Sequence, residues 1–206
     1  SQNLRGVVNY GRVLRACLVN LDRWAAEGVE PPPSRHPRVD DGSALPPEAL
    51  AKVFDRIPGA RYPRHHARPQ RQDFSNLPPR PGRAYGSLVS AVDEDGNEVA
   101  GIALPEVAVP LATHTGWNLR HPDIGGAEQL LIFAGSTIAF PRTPREREAA
   151  GDPRPSIEER YRSREDYLAR VRQATVALAK EGYILRDDVE LSVTFAARMW
   201  DHWAGP

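Results

Sequence analysis

The stretch Leu104-Pro105-Glu106-Val107-Ala108-Val109-Pro110-Leu111-Ala112-Thr113-His114-Thr115-Gly116-Trp117-Asn118-Leu119-Arg120 ends an apolar run in polar residues around a glycine. Such a mixture can line a small-molecule pocket. Trp117 would be an apolar wall, His114 and Asn118 polar handles, and Thr115 stands among them. The same residues have a simpler structural use. Trp117 can anchor a loop in the core while His114 and Asn118 satisfy buried backbone groups. His114, Thr115, Trp117 and Asn118 are therefore substrate-pocket candidates, and none is assigned a catalytic role.

Other chemistries need arrangements that this chain lacks. A serine nucleophile at a strand–turn–helix bend requires Gly-x-Ser-x-Gly, and no such pentapeptide occurs. Phe133-Ala134-Gly135-Ser136-Thr137 has neither the spacing nor a following helix signal, so Ser136 reads as a turn or cap residue. No phosphate loop of the Gly-x-x-x-x-Gly-Lys or Gly-x-Gly-x-x-Gly type is present, and Gly125-Gly126 reads as a flexible turn. His-Glu-x-x-His is absent, and Cys17 is the one cysteine. Adjacent His65 and His66 point apart in most backbones, so they read as exposed basic residues rather than converging zinc ligands. No metal and no cofactor is expected.

Arg61, Arg64, Arg68, Arg71, Arg80 and Arg83 alternate with Tyr62 and Phe74 and one acid, Asp73. Arginine interleaved with aromatics can hold phosphates and stack bases. The chain nonetheless carries 27 basic and 27 acidic residues, and its formal charge is zero. A stiff arm lying over its own domain, neutralised by nearby acids, is the favoured reading, with no nucleic acid as partner. No apolar run approaches the ~20 residues of a spanning helix, and no membrane partner is expected. A single cysteine fits a reducing compartment but assigns none.

The elements that must position these residues are read from period and punctuation. The 206 residues allow one domain with a real core. Tyr10, Val13, Leu14, Cys17, Leu18, Leu21, Trp24 and Ala25 recur at three- and four-residue steps and predict a helix. Asn9 is its candidate N-cap and Gly28 its stop. Its leucines and Trp24 need a partner surface, and Cys17, on that face, reads as a buried inert thiol. Residues 29–83 are expected to be a Pro/Arg-rich connection. Asp41-Gly42 would turn between Arg38-Val39 and Ala44-Leu45, and Pro47 to Phe54 would form a short helix. Residues 84–140 are predicted β. Leu88–Val92 and Val99–Leu104 would make a hairpin around Asp93–Asn97, and Val107–Leu111 would be a third, edge strand. Residues 141–206 are the helical end. One helix is capped by Ser163 and stops at Gly182, and another begins near Asp187 or Asp188. The fold class is α+β: an N-terminal amphipathic helix, proline-rich connections, a central antiparallel β hairpin and C-terminal helices.

These pieces resemble a known family. Asp95–Ile102, Leu104–Thr113 and Thr115–Arg120 look like a signature of the C-terminal part of the bacterial alpha/beta hydrolase domain family. So do Tyr10–Ala16 with Leu21–Trp24, Pro31–Pro37, Gly151–Tyr161 and Ser163–Tyr167. The resemblance covers nearly the whole chain. It implies a part of a larger α/β-hydrolase architecture, with the triad of serine, acid and histidine upstream of the first helix. None of that triad maps onto a residue here, and His114 is not carried over as the triad histidine. The resemblance further implies ester hydrolysis as reaction class, with a small-molecule ester as substrate. This chain would then shape the pocket without catalysing alone. Its partner would be an upstream catalytic segment of the same protein. The alternative is a stand-alone binding or oligomerisation module, a homo-oligomer. The sequence names neither substrate nor compartment.

Overall fold

The computed structural model describes residues 1–66 and 68–205; Ala67, inside the predicted 29–83 connection, and Pro206 lie outside the described residues. In chain order the elements are β1 (Leu4–Arg5), α1 (Gly11–Glu27), β2 (Ala44–Leu45), a 3-10 turn (Pro47–Ala49), α2 (Ala51–Phe54), β3 (Gln70–Asp73), β4 (Arg80–Ala84), β5 (Val89–Ser90), α3 (Pro105–Ala108), β6 (Ala112–Thr115), a second 3-10 turn (Pro122–Ile124), β7 (Ser136–Ala139), α4 (Pro144–Ala150), α5 (Ile157–Arg160), α6 (Arg164–Lys180) and α7 (Asp188–Trp203). Helices and small antiparallel sheets are mixed, which is consistent with an α/β class.

The C-terminal helices form where caps and stripes predict them. Ser163 Oγ accepts the Asp166 N–H at 3.2 Å, which starts α6. Tyr167, Val171 and Leu178 of α6 meet Ala196 of α7 in one core cluster or its neighbour, with Phe140, Ile157 and Tyr161 against them. The Tyr161 and Tyr167 rings meet edge-on at 5.0 Å, and Trp200 lies 5.2 Å from Tyr167. The Tyr161 hydroxyl donates to the Pro110 carbonyl at 2.8 Å, so this buried phenol is satisfied.

The strand that carries the pocket candidates is β6. It is the edge of a three-stranded antiparallel sheet ordered β1-β7-β6, with His114 opposite Thr137 and Thr115 opposite Ser136. All four β6 residues are buried. The Asn97 side chain bonds the free backbone edge of β6, and Arg154 ties β6 to β7. Asn97 accepts the His114 N–H at 2.8 Å and donates to the Ala112 carbonyl at 3.2 Å. Arg154 donates to Thr113 Oγ1 and the Ile138 carbonyl, both at 2.9 Å, and to the Ala139 carbonyl at 3.2 Å. Asp152 takes the remaining guanidinium edge at 2.6 and 2.9 Å. A buried arginine so fully bonded is tolerated where a bare one would not be.

Three expectations for the middle of the chain need correction. The turn at 93–97 forms, with the Asp93 N–H donating to the Asn97 carbonyl at 2.9 Å, but pairing stops at a single Val92–Glu98 bridge. Gly101, at φ +90°, turns the chain away, and Leu104 enters the core beside Leu178, Tyr183 and Ile184 instead of continuing a strand. Val107-Ala108 is helix, because Pro105 occupies the first turn of α3 with φ already set. The region taken as connection also holds a ribbon, β3–β4, whose residues are all exposed.

Helix α1 also departs from its predicted seating. Its boundaries agree, with Gly28 left-handed at φ +72°, but Tyr10 occupies the cap position. Asn9 Oδ1 still accepts the Gly11 N–H at 3.1 Å. The buried line is Arg12 and Ala16, flanked by Asn20, which donates to the Gly182 carbonyl at 3.0 Å. Arg12 pairs with Glu106 of α3 and donates to Ser192 Oγ of α7 at 2.6 Å, and Arg15 reaches Asp188 at 2.5 Å. Leu18 is 69% and Trp24 52% exposed. Cys17 is exposed too, which corrects its reading as a buried thiol. The charged partners on α3 and α7 draw the helix in by its seam, and the apolar stripe is left outward.

Candidate ligand pocket

Trp117 stands just beyond β6, where the chain leaves the sheet. Its carbonyl accepts two hydroxyls, Thr115 Oγ1 at 2.5 Å and Ser136 Oγ at 2.7 Å. Both lone pairs are used, so the peptide cannot swing and the indole is held in place. Gly135 makes the approach possible, since a Cβ there would collide with the Thr115 carbonyl. The indole packs edge-on against Phe54 of α2 at 5.3 Å and Tyr62 at 5.8 Å, while Phe54 and Tyr62 stack at 5.4 Å. Leu50, Phe54 and Ile57 close the apolar side.

This cluster walls a cavity of about 370 Å³, within the range of small-molecule sites. His114, Thr115 and Trp117 line it, with Tyr62, His66 and Glu98. Gly96 forms part of the lining because it is glycine: its φ is +81°, and a Cβ would meet Phe54, Ile57 and Thr113 at 3.0 Å. A neighbouring cavity of about 460 Å³ shares Tyr62, Pro63 and His66 and is lined further by Glu48, Arg64, His65 and Arg68.

The four sequence candidates do not end up together. Asn118 is fully buried outside the cavity, donating to the Asn3 and Gly135 carbonyls at 3.1 Å each and accepting the Asn3 N–H at 3.3 Å. It ties the residue before β1 to the residue before β7. Thr115 lines the cavity, but its hydroxyl is spent on the Trp117 carbonyl and on the Ser136 N–H at 3.2 Å. His114 is 8% exposed, and its Nδ1 lies 3.3 Å from Thr137 Oγ1. Burial pushes its pKa down to about 4, against the smaller upward pull of a hydrogen bond with the Glu106 backbone. At neutral pH it is an uncharged, weakly basic ring.

Ser136 is not placed as a nucleophile. It lies fully buried in β7, with its hydroxyl committed. Among the described residues, no three His, Cys, Asp or Glu side chains converge in a metal-holding group. The arginine arm has found local acids, Arg61 with Glu128 and Arg68 with Glu48, and Arg71 lies 5.1 Å above the Tyr85 ring. No described helix is long and apolar enough to cross a membrane.

The residues that sequence reasoning missed are Phe54, Tyr62 and Glu98. In the sequence Tyr62 stands as an aromatic among arginines, and its cavity role depends on α2, which is distant from Trp117 in the chain. No curated protein and no solved structure matches the chain. The family model described as the alpha/beta hydrolase domain matches residues 5–194, nearly the whole length, and on that match the chain belongs to the alpha/beta hydrolase domain family.

Proposed function

We propose that this chain is the C-terminal, pocket-shaping portion of an α/β-hydrolase-like serine esterase whose nucleophile comes from another segment. The observation that carries this reading is the aromatic cavity at Trp117, which has walls but no poised nucleophile. Its aliphatic hydroxyls are occupied, Thr115 as described and Ser90 Oγ with the Ala91 carbonyl at 3.3 Å, and the remaining hydroxyl is the weakly nucleophilic phenol of Tyr62. The buried Ser136 and the uncharged His114 cannot work as an activated pair, since a serine needs a base within reach and of suitable pKa. Family membership supplies the reaction class, and a small-molecule ester is the proposed substrate. A fluorophosphonate probe should leave the 206-residue chain unlabelled. Labelling of any serine in it overturns the reading.

The outward stripe of α1 supports a second reading, a non-catalytic module that associates through that face. Leu14, Leu18, Leu21 and Trp24 are exposed together beside a groove of about 380 Å³ formed with Pro31–Pro33. A monodisperse oligomer on size exclusion supports the module. An aggregating chain supports a face that belongs against a catalytic segment.

A further inference from the structure

Most polar groups lining the Trp117 cavity are already engaged. Thr115 and Ser90 donate to carbonyls, His114 is held between Thr137 and the Glu106 backbone, and His66 leans on the Tyr62 ring at 5.6 Å. Glu98 is different. Its carboxylate lies at the rim, where a Cβ on Gly116 would sit 3.8 Å from one of its oxygens. Among the described residues its side chain makes no hydrogen bond or ion pair.

Two further acids, Asp93 and Glu94, stand close in the chain with no ion pair among the described residues. The turn leading into Glu98 carries Asp93, Glu94 and Asp95, and Arg160 pairs with Asp95 at 2.5 Å. The guanidinium groups of Arg64 and Arg68 line the adjoining cavity, beyond the wall of Tyr62, Pro63 and His66, and Arg68 is engaged with Glu48. The lining of the Trp117 cavity therefore combines a free carboxylate with an indole and a phenol ring. Ring faces carry partial negative charge, and a cation complements both the rings and the carboxylate.

Resting on the pocket reading above, we infer that this cavity binds a ligand with an ammonium-type head group on an apolar body, the head at Glu98 and the body against Trp117 and Tyr62. For an ester substrate, this means an amine-bearing acyl or alcohol part. The negatively charged rim disfavours a carboxylate in the same place.

The test compares 2-phenylethylammonium with the uncharged 2-phenylethanol by calorimetry on the 206-residue chain at low salt. The cation should bind about tenfold tighter, as a ring face and one carboxylate together would give. Glu98→Gln should bring the ratio of the two affinities to about one, and Trp117→Ala should weaken both ligands. If the alcohol binds and the cation binds no tighter, the charge inference fails and the pocket stands. A preference that survives Glu98→Gln places the head group elsewhere and also overturns it. If neither probe binds, both the inference and the pocket reading fall.

Discussion

Helices α1 and α6 are both 17 residues long, and they are seated in opposite ways. Helix α6 turns Tyr167, Val171, Thr175 and Leu178 inward, and Arg170 and Arg172 remain outside in pairs with Asp166 and Glu190. Helix α1 turns Arg12 and Ala16 inward and leaves its leucines out. Periodicity identifies a helix in both cases. The inward face is decided by what the neighbouring elements present: apolar side chains of α7 with Val109, Leu111 and Phe140 for α6, and the carboxylates Glu106 and Asp188 for α1.

The comparison can be broken most forcefully at Arg12. Arg12→Ala would leave the Glu106 carboxylate buried without its cation, and denaturant unfolding should show a loss of about 3–5 kcal/mol. Replacing both partners with apolar residues, Arg12→Met with Glu106→Leu, should recover most of it. If Arg12→Ala costs less than 1 kcal/mol, α1 is not held by its charged seam.

The buried His114 of β6 makes the stability depend on pH. His114 has a pKa near 4 in the folded protein, below the ordinary 6.5, so the unfolded chain takes up the proton first. Its contribution is fully present above pH 6.5 and is lost as pH falls toward 4, by a few kcal/mol at most. Melting followed between pH 7 and pH 4 should therefore show a steeper decline for the native chain than for His114→Gln. Equal slopes would mean that His114 does not carry the acid sensitivity.

A matched pair of truncations gives the smallest effects. Val171→Ala, in the core under α6, should cost about 2 kcal/mol. Leu18→Ala, on the outer stripe of α1, should stay within about 0.5 kcal/mol in the isolated chain. Equal costs would show that the α1 stripe is covered in solution, which would favour the oligomer reading.

What was legible in the sequence was local. Gly28 and Gly182 end their segments, Ser163 starts α6, and Pro47–Phe54 folds as a short helical piece, because caps and prolines act within a few residues. The sheet was not legible in the same way. Strand β6 depends on Asn97 and Arg154, and β7 on its pairing with both β6 and β1, all contacts between residues far apart in the chain. The candidate site follows the same division. His114, Thr115 and Trp117 could be marked because their types stand together, and all three line the cavity. Asn118 was marked for the same reason and went to the backbone instead, while Phe54, Tyr62 and Glu98 were brought in by tertiary packing.

Arg154 bears on how the interior assembles. Its counter-charge, Asp152, is two residues away and also holds the Arg154 backbone N–H at 2.9 Å. That clasp closes almost no loop, so it can form in a chain that is still open. A clasp formed that early would bring the guanidinium to β6 and β7 already neutralised, and the step that seats it would move a compact dipole out of water rather than a bare ion. Separating the two residues, for instance by inserting glycines between them, would leave the guanidinium contacts to β6 and β7 available and yet make the cation reach the sheet unescorted.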